Sequence, residues 1–161
     1  MPCYHFIFHA YGTWLPDEDD GYVTRTKGHL PQDVQAGTKY RQRMTDEVVL
    51  FDEAMQKTMI DELHVAATHQ SFRPHFIATE PTHIHILVSW HDDERSFEKL
   101  RAGIRQSLSR RLGREIARRE WLSEGGSRHR VSNQDHYDYL VCTYLARHGG
   151  WKWSEDKGLH R

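Results

Sequence analysis

The chain has 161 residues, 37% of them hydrophobic, and a mean hydropathy of -0.80, which suits one folded domain over residues 1–161 and excludes a disordered chain. No apolar run approaches the ~20 residues that cross a bilayer, and the amino end lacks the features of a signal peptide, so we expect a cytoplasmic protein without membrane contacts. The two cysteines are too few for a disulfide framework or a four-thiolate zinc site, and the formal net charge of -1 gives no overall bias toward an anionic partner.

The amino-terminal half is predicted to contain a strand, a long loop and a helix. Residues 4–11 are aromatic or apolar at almost every position, which predicts a strand buried on one or both faces and ended by Gly12. Residues 14–45 are rich in Pro, Gly, Asp and Thr and show no sustained period, which predicts a loop. Apolar side chains then recur at spacings of three and four, which predicts a helix over residues 46–69.

The middle of the chain is predicted to contain two paired strands and a second helix. Residues 75–90 hold two runs of β-type residues, and the Pro-containing segment 80–82 predicts the turn between them. An apolar stripe from Phe97 to Ile116 predicts the second helix, with its start near Ser96 and with arginines on its flanks.

The carboxyl-terminal part is predicted to contain a short strand and a third helix. Residues 121–132 predict a short strand or hairpin with a basic tip. Residues 133–148 predict a helix that is stopped by Gly149 and Gly150. The order β, α, ββ, α, β, α predicts an α+β fold, with helices packed on a small antiparallel sheet of ferredoxin-like type.

Positive charge is concentrated in one part of the chain. Residues 99–130 contain 10 basic and 3 acidic side chains, and all but one of the basic residues are arginines. Arginine can form two hydrogen bonds to phosphate and can stack on bases. This segment is therefore either a nucleic-acid-binding surface or an arginine-rich helix face in contact with solvent.

His83 and His85 lie two residues apart in a predicted strand, so both rings project from the same face of the sheet. About one such spacing is expected by chance in a chain with 13 histidines, so the spacing alone does not separate a metal site from a structural pair. Ile84 and Ile86 alternate with the histidines and form the natural core face. The histidine pair is therefore expected on the functional face.

Tyr144 and His148 are four residues apart in the third predicted helix, which makes them neighbours roughly 6 Å apart on one helix face. A tyrosine in such a position packs in the core more often than it acts as a nucleophile. His148 has its own structural alternative, because an imidazolium at a helix carboxyl end interacts favourably with the last carbonyl groups. Both alternatives remain open from the spacing.

A His-hydrophobic-His strand, then a basic helix, then a late helix with one tyrosine and a histidine four residues on, resembles the HUH single-tyrosine transposases. In particular, it resembles the REP-associated tyrosine transposases and their insertion-sequence relatives. The matching stretches are ATEPTHIHILVSW, GGSRHR and YLVCTYLARHGG, together with the opening HFIFHAYGTWLP. With the helices between them, the resemblance covers nearly the whole chain.

The resemblance implies an HUH endonuclease fold with a metal-assisted tyrosine nucleophile. It places His83 and His85 as the histidine pair of the metal site, His148 as the third ligand and Tyr144 as the nucleophile. The implied cofactor is a divalent metal, Mg or Mn, with other transition metals possible. Many relatives carry Gln or Asn where this chain has His148, and three imidazoles favour Mn, Co, Ni or Zn more than a site with an amide oxygen does.

The implied partner is single-stranded DNA with hairpin-forming ends, and relatives occur both as monomers and as homodimers. Phosphate contacts are expected from the basic helix and from the short basic strand after it. Unpaired bases could stack on Trp14, Trp151 or Trp153, although packing is the more common role of tryptophan. The expected DNA-binding residues are Arg101, Arg105, Arg110, Arg111, Arg114, Arg128, His129 and Arg130.

Other functions remain compatible with these residues. One is a catalytically reduced relative that binds hairpin DNA without cutting it. Another is a protein whose histidines hold structural zinc. A third is a hydrolase of the histidine-triad nucleotide-binding kind, which needs a longer alternating histidine run, whereas Leu87 follows Ile86 here.

Overall fold

The computed structural model describes residues 1–13, 22–24, 28–91 and 95–161, so the predicted stacking residue Trp14 lies outside the described residues. The helices and strands, in chain order, are β1 (Cys3–His9), β2 (Tyr22–Thr24), β3 (Gly28–Leu30), α1 (Val34–Arg43), α2 (Glu53–Gln70), β4 (Phe72–Glu80), β5 (His83–Trp90), α3 (Phe97–Glu115), β6 (Arg128–Arg130), α4 (Gln134–Tyr139), β7 (Lys152–Ser154) and β8 (Gly158–His160). A π-helical turn (Leu140–Tyr144) and a 3₁₀ turn (Leu145–Arg147) follow α4 directly. Among the described helices, none combines the length and apolar character needed to cross a bilayer.

The main sheet has six antiparallel strands in the order β6-β1-β5-β4-β7-β8. Its first four strands, with α2 and α3 as the two connections, follow the βαββαβ order of a ferredoxin-like fold. The predicted α+β class with an antiparallel sheet is therefore confirmed. Strands β7 and β8 extend the sheet beyond this unit and were not predicted, because three-residue strands are too short to show a period.

The two faces of the sheet have different cores. Helices α2 and α3 cover one face, where the largest cluster of buried side chains includes Phe6, Ile86, Leu63 and Ile104. The segment from α4 to the 3₁₀ turn covers the other face with a smaller cluster around Leu87, which includes Phe76, Ala78, Leu140 and Leu145. The second face is therefore only partly apolar.

The amino-terminal predictions need two corrections. Residues 14–45 are not all loop, because α1 begins after an Asp33 side chain that accepts a hydrogen bond from Ala36 N, 2.9 Å away. Gly37 is the only buried residue of α1, so this helix has no apolar stripe for a pattern to detect. Helix α2 begins at Glu53 rather than near residue 46, because the Asp52 carboxylate caps it by accepting from Met55 N.

The strands and later helices follow the sequence more closely. Strands β4 and β5 form the predicted hairpin with a turn at residues 81–82, and Ser96 caps α3 as expected. The third helix is shorter than predicted, since the α-helical part ends at Tyr139 and His148 is already extended, with ψ 139°. The residues after 139 continue as the π and 3₁₀ turns.

Gly149 and Gly150 do not end the helix through a left-handed conformation, because neither has a positive φ. Gly150 is instead required by close packing against β4. A Cβ at this position would lie 2.0 Å from the carbonyl oxygen of Thr79 and 2.7 Å from Oε1 of Gln56. At Gly149 the nearest atom to an added Cβ is Oε1 of Glu80, at 3.8 Å, which is an ordinary contact.

We expect Gly150→Ala to lower the free energy of unfolding by about 2–3 kcal/mol, because the new methyl group meets backbone atoms that cannot move aside. Gly149→Ala is the matched control and should change it by less than about 0.5 kcal/mol. Urea unfolding of the two variants measures the difference. Equal stabilities would contradict the close approach of this segment to β4.

Candidate metal and nucleophile site

The histidine pair lies on the sheet face opposite the main core. Ile84 and Ile86 are fully buried under α2 and α3, so the alternation along β5 directs His83 and His85 to the other face. His85 is 2% exposed. The neighbouring strand β1 contributes His5 and His9 to the same face, with His9 opposite His83 in the register.

His148 joins the pair from the chain that follows the 3₁₀ turn. Its ring centroid lies 4.3 Å from that of His85 and 5.8 Å from that of His83, and the rings of the pair are 4.7 Å apart. One nitrogen from each of the three rings lies within 4.8 Å of the others. The three imidazoles therefore converge on a point where a metal ion could bind.

The hydrogen bonds of the three rings favour the same nitrogen for a metal. His148 Nδ1 lies 3.2 Å from the carbonyl oxygens of Tyr144 and Leu145. Carbonyl oxygens only accept hydrogen bonds, so Nδ1 of His148 is the donor, and Nε2 is the nitrogen that remains for a metal. One nitrogen thus satisfies the end of the helical segment and the other is left for a ligand, which reconciles the two roles considered for this residue.

In the two histidines of β5, Nδ1 likewise has a hydrogen-bond partner. His83 Nδ1 is 2.9 Å from Oγ1 of Thr82, and His85 Nδ1 is 2.9 Å from Nε2 of His5. Nε2 of His85 is buried and has no hydrogen-bond partner among the described residues. An unsatisfied buried nitrogen beside two similar rings fits a metal ligand better than a structural histidine.

His5 is the residue of this site that the sequence analysis missed. It is 4% exposed, and its ring stacks on that of His85 with centroids 5.1 Å apart and planes 16° apart. The signal was the alternation HFIFH in β1, which has the same period as the histidine pair. Only the pairing of β1 with β5 shows that the two alternating sets share one face.

Burial keeps these imidazoles neutral. Desolvation lowers the pKa of His5 to about 3, with a further contribution from His129, and desolvation also lowers the pKa of His85 and of His83. Neutral imidazole is the form that coordinates a metal. His83 and His85 are therefore ready to accept a cation at neutral pH without first releasing a proton.

Side chains from β4 and β7 hold the backbone around His148. Lys152 Nζ donates to the His148 carbonyl oxygen at 2.6 Å, and Gly149 N donates to Oε1 of Glu80 at 2.6 Å. Lys152 is itself 7% exposed. These contacts add to the backbone hydrogen bond from His148 N to the Leu145 carbonyl oxygen, so His148 is held in place although its backbone is extended.

Tyr144 is the last residue of the π-helical turn, and its ring stands over the histidines. Its centroid is 5.5 Å from His148, 5.6 Å from His85 and 5.8 Å from His5. The side chain is 37% exposed, so a substrate can reach it. Desolvation raises the pKa of the phenol, and the nearby Tyr139 raises it further.

The predicted DNA-binding arginines of α3 are not close to Tyr144, because α3 covers the opposite face of the sheet. Arg101 donates to the carbonyl oxygen of Gly125 at 3.0 Å, and Arg105 donates to that of Leu122 at 2.8 Å. Both side chains therefore tie α3 to the segment before β6, a contact that also holds the fold together.

The other arginines of α3 line a groove of about 660 Å³ between α2 and α3. Arg111 forms ion pairs with Asp61, Glu62 and Glu115, which occupy its guanidinium group. Arg110 and Arg114 are exposed. These two are the members of the predicted set in α3 that point into solvent.

Strand β6 carries the predicted residues that do reach the site. Arg128, His129 and Arg130 are exposed and line a depression beside Tyr144. The rings of His129 and His5 are 6.4 Å apart. By contrast, Trp151 lies under the Lys57 ammonium and Trp153 packs on His64, so both tryptophans have packing roles away from Tyr144.

We expect His5→Phe to weaken binding of Mn²⁺ or Zn²⁺ by about 10–100-fold, because the stacked ring remains while the hydrogen bond that orients His85 is lost. Calorimetric titration of the metal-free protein gives the affinity directly. His64→Phe replaces a half-buried histidine remote from the site and is the control. An unchanged affinity in His5→Phe would mean that His85 needs no orienting partner.

Known proteins resemble this chain in structure but not in sequence. No protein-family model matches the sequence, and no curated protein is significantly similar to it. A crystal structure of a candidate transposase from Deinococcus radiodurans aligns with a TM-score of 0.51 and 14% identity, over 91% of this chain and 90% of that one. The structure of a REP-associated tyrosine transposase bound to a REP hairpin aligns with a TM-score of 0.49 and 11% identity. The alignment covers 87% of this chain but only 62% of that chain, so this chain spans less than two thirds of that protein's length. At this identity the likeness to the Deinococcus protein shows a common fold.

Proposed function

We propose that the protein is a metal-dependent transposase that nicks and rejoins hairpin-forming single-stranded DNA through a 5′-phosphotyrosine link. Tyr144 is the nucleophile, and His83, His85 and His148 hold a divalent cation. The observation that supports this most is the joint placement of three converging imidazoles and one partly exposed phenol, with ring centroids 5.5 and 5.6 Å from two of the imidazoles. These groups come from two distant parts of the chain.

The donor set fits a divalent transition metal. Three imidazoles, each with Nδ1 engaged in a hydrogen bond, favour Mn, Co, Ni or Zn over Mg, which prefers oxygen ligands. Three protein ligands leave further coordination positions for phosphate oxygens. A cation bound there supplies Lewis-acid polarisation of the scissile phosphate.

The tyrosine performs a transesterification that conserves bond energy. Its Oη attacks the phosphorus, the bond from phosphorus to the 3′ oxygen breaks, and the products are a 5′-phosphotyrosine and a free 3′-hydroxyl, with one proton transferred overall from the phenol to the leaving oxygen. The reverse reaction rejoins a strand and needs no nucleoside triphosphate. Because burial raises the pKa of Tyr144, the phenol is protonated at neutral pH and stays unreactive until it is activated.

Two basic surfaces are available for the DNA backbone. The residues of β6 border the depression at Tyr144, which suits the strand that is cut. Arg110 and Arg114 lie on the other side of the sheet and suit a more distant part of the same molecule. Arg101, Arg105 and Arg111 are engaged within the protein, so we assign them a smaller part in DNA binding.

We expect Tyr144→Phe to abolish the covalent adduct on single-stranded, hairpin-forming oligonucleotides in the presence of Mn²⁺, because only the nucleophilic oxygen is removed. Binding should stay within about twofold of the wild type, since the ring is retained. Denaturing gels measure the adduct and anisotropy measures binding. Tyr137→Phe is the control, because Tyr137 packs against His75 instead of the metal site.

Each other outcome of this experiment would indicate a different nucleophile or a different function. Adduct formation by Tyr144→Phe would show that another tyrosine is the nucleophile. Hairpin binding by the wild type with no adduct in any metal would indicate a protein that binds without cutting. Metal binding with neither DNA binding nor an adduct would indicate a structural metal site.

We expect Arg130→Ala and Arg114→Ala each to lower the salt dependence of single-stranded DNA binding by about one ion or less, because each removes one exposed cation. Arg73→Ala is the control, since Arg73 is paired with Glu155 at the β4 side of the sheet. Affinities measured over a series of salt concentrations give the slopes. A change for Arg130 without a change for Arg114 would confine DNA to the face that carries Tyr144.

A further inference from the structure

A depression of about 440 Å³ lies beside Tyr144, between β6 and the helical segment that follows it. Its volume is in the range of pockets that hold small molecules. Tyr139, His136, His129 and Arg130 line its sides, and Ile7 is part of its lining. None of the described residues that line it is acidic, so the depression suits an anionic aromatic ligand.

Packing among the described residues does not explain the position of Tyr139. It is 53% exposed, and among the described Phe, Tyr and Trp side chains only Tyr139 and Tyr144 are exposed. It does not belong to either of the two apolar clusters. An aromatic ring left in water at the rim of a cationic depression has surface available for a partner.

The π-helical turn is what places Tyr139 beside Tyr144. In an α-helix, with 3.6 residues per turn, residues five positions apart lie on different faces. Here the i to i+5 hydrogen bonding of the turn over Leu140–Tyr144 brings the two rings to 6.3 Å, with planes 31° apart. Single π turns are frequent at functional sites.

We propose that this depression binds one unpaired nucleobase next to the scissile phosphate, with Tyr139 as the stacking ring and Arg130 at an adjoining phosphate. This inference rests on the proposed function, because Tyr144 marks where the phosphate is attacked. Aromatic rings accept the face of any base, and cations beside them accept the backbone. The two tyrosines then have separate tasks: Tyr144 attacks the strand and Tyr139 holds the base beside the cut.

The experiment combines loss of the ring with loss of the base. Two labelled probes of about 20 nucleotides are used, oligothymidylate and a strand of the same length made entirely of abasic sites. Binding is measured by anisotropy in EDTA, so that no cutting occurs. The variants are Tyr139→Leu, which removes the aromatic ring, and Tyr139→Phe, which keeps it. Leu159→Ala, an exposed apolar residue on β8, is the control.

We expect Tyr139→Leu to bind oligothymidylate about tenfold more weakly than the wild type, and to bind the abasic strand equally well. Tyr139→Phe and Leu159→Ala should bind both probes within about twofold of the wild type. Arg130→Ala should weaken both probes alike, because it contacts the backbone.

The results that would contradict the base pocket differ from those that would contradict the cutting reaction. Equal weakening of both probes by Tyr139→Leu, or no weakening of either, would overturn the base pocket while leaving the proposed cutting reaction intact. A wild type that binds neither probe would overturn both the pocket and the proposed function. If Tyr139→Phe bound oligothymidylate as weakly as Tyr139→Leu is expected to bind it, stacking would also be overturned, because Phe retains the aromatic ring. The expected pattern without any covalent adduct would support the pocket and refute the cutting reaction.

Discussion

Strands β1 and β5 pair over seven residues, and the two faces of this pair have opposite chemistry. One face presents side chains such as Phe6 and Ile86, fully buried under α2 and α3. The other face presents imidazoles, among them His5 and His85, which are joined by a hydrogen bond. Because side chains alternate along a strand, a register shift of one residue would exchange the faces and drive imidazoles into the apolar core. Burial of the apolar face therefore fixes the register that assembles the histidine site.

Placing several imidazoles on a buried sheet face has an energetic cost, because a buried polar atom without a partner is destabilising. The Nδ1 atoms of the three converging histidines have partners, so the remaining cost lies on the Nε2 side, most clearly at His85. Coordination of a cation by these nitrogens would remove that cost, and the energy of metal binding would then add to the stability of the fold. Under the proposed function, the metal site and the stability of β5 are coupled.

The sequence predicted the features that depend on local pattern. The start of α3 at Ser96 and the orientation of His83 and His85 away from the core both follow from residue spacing within one element. It did not predict α1, which lacks an apolar stripe, or the hydrogen bond from β1 to His85, which joins residues 80 positions apart. The arginines of α3 show a further limit, because composition cannot separate Arg105, which binds backbone carbonyls, from the exposed Arg114.

The segment around Tyr144 departs from ideal helix geometry on both sides, and each departure positions a ring. Before Tyr144, the π turn brings Tyr139 onto the same side. After it, the helix ends early and the extended His148 is held by Lys152, so its ring turns back over the histidine pair. A continuous α-helix over residues 133–148 would have better backbone hydrogen bonds but would not combine these two placements. Local rules are broken most often where a structure serves a function, and here the breaks flank Tyr144, whose ring lies beside two of the histidines that converge.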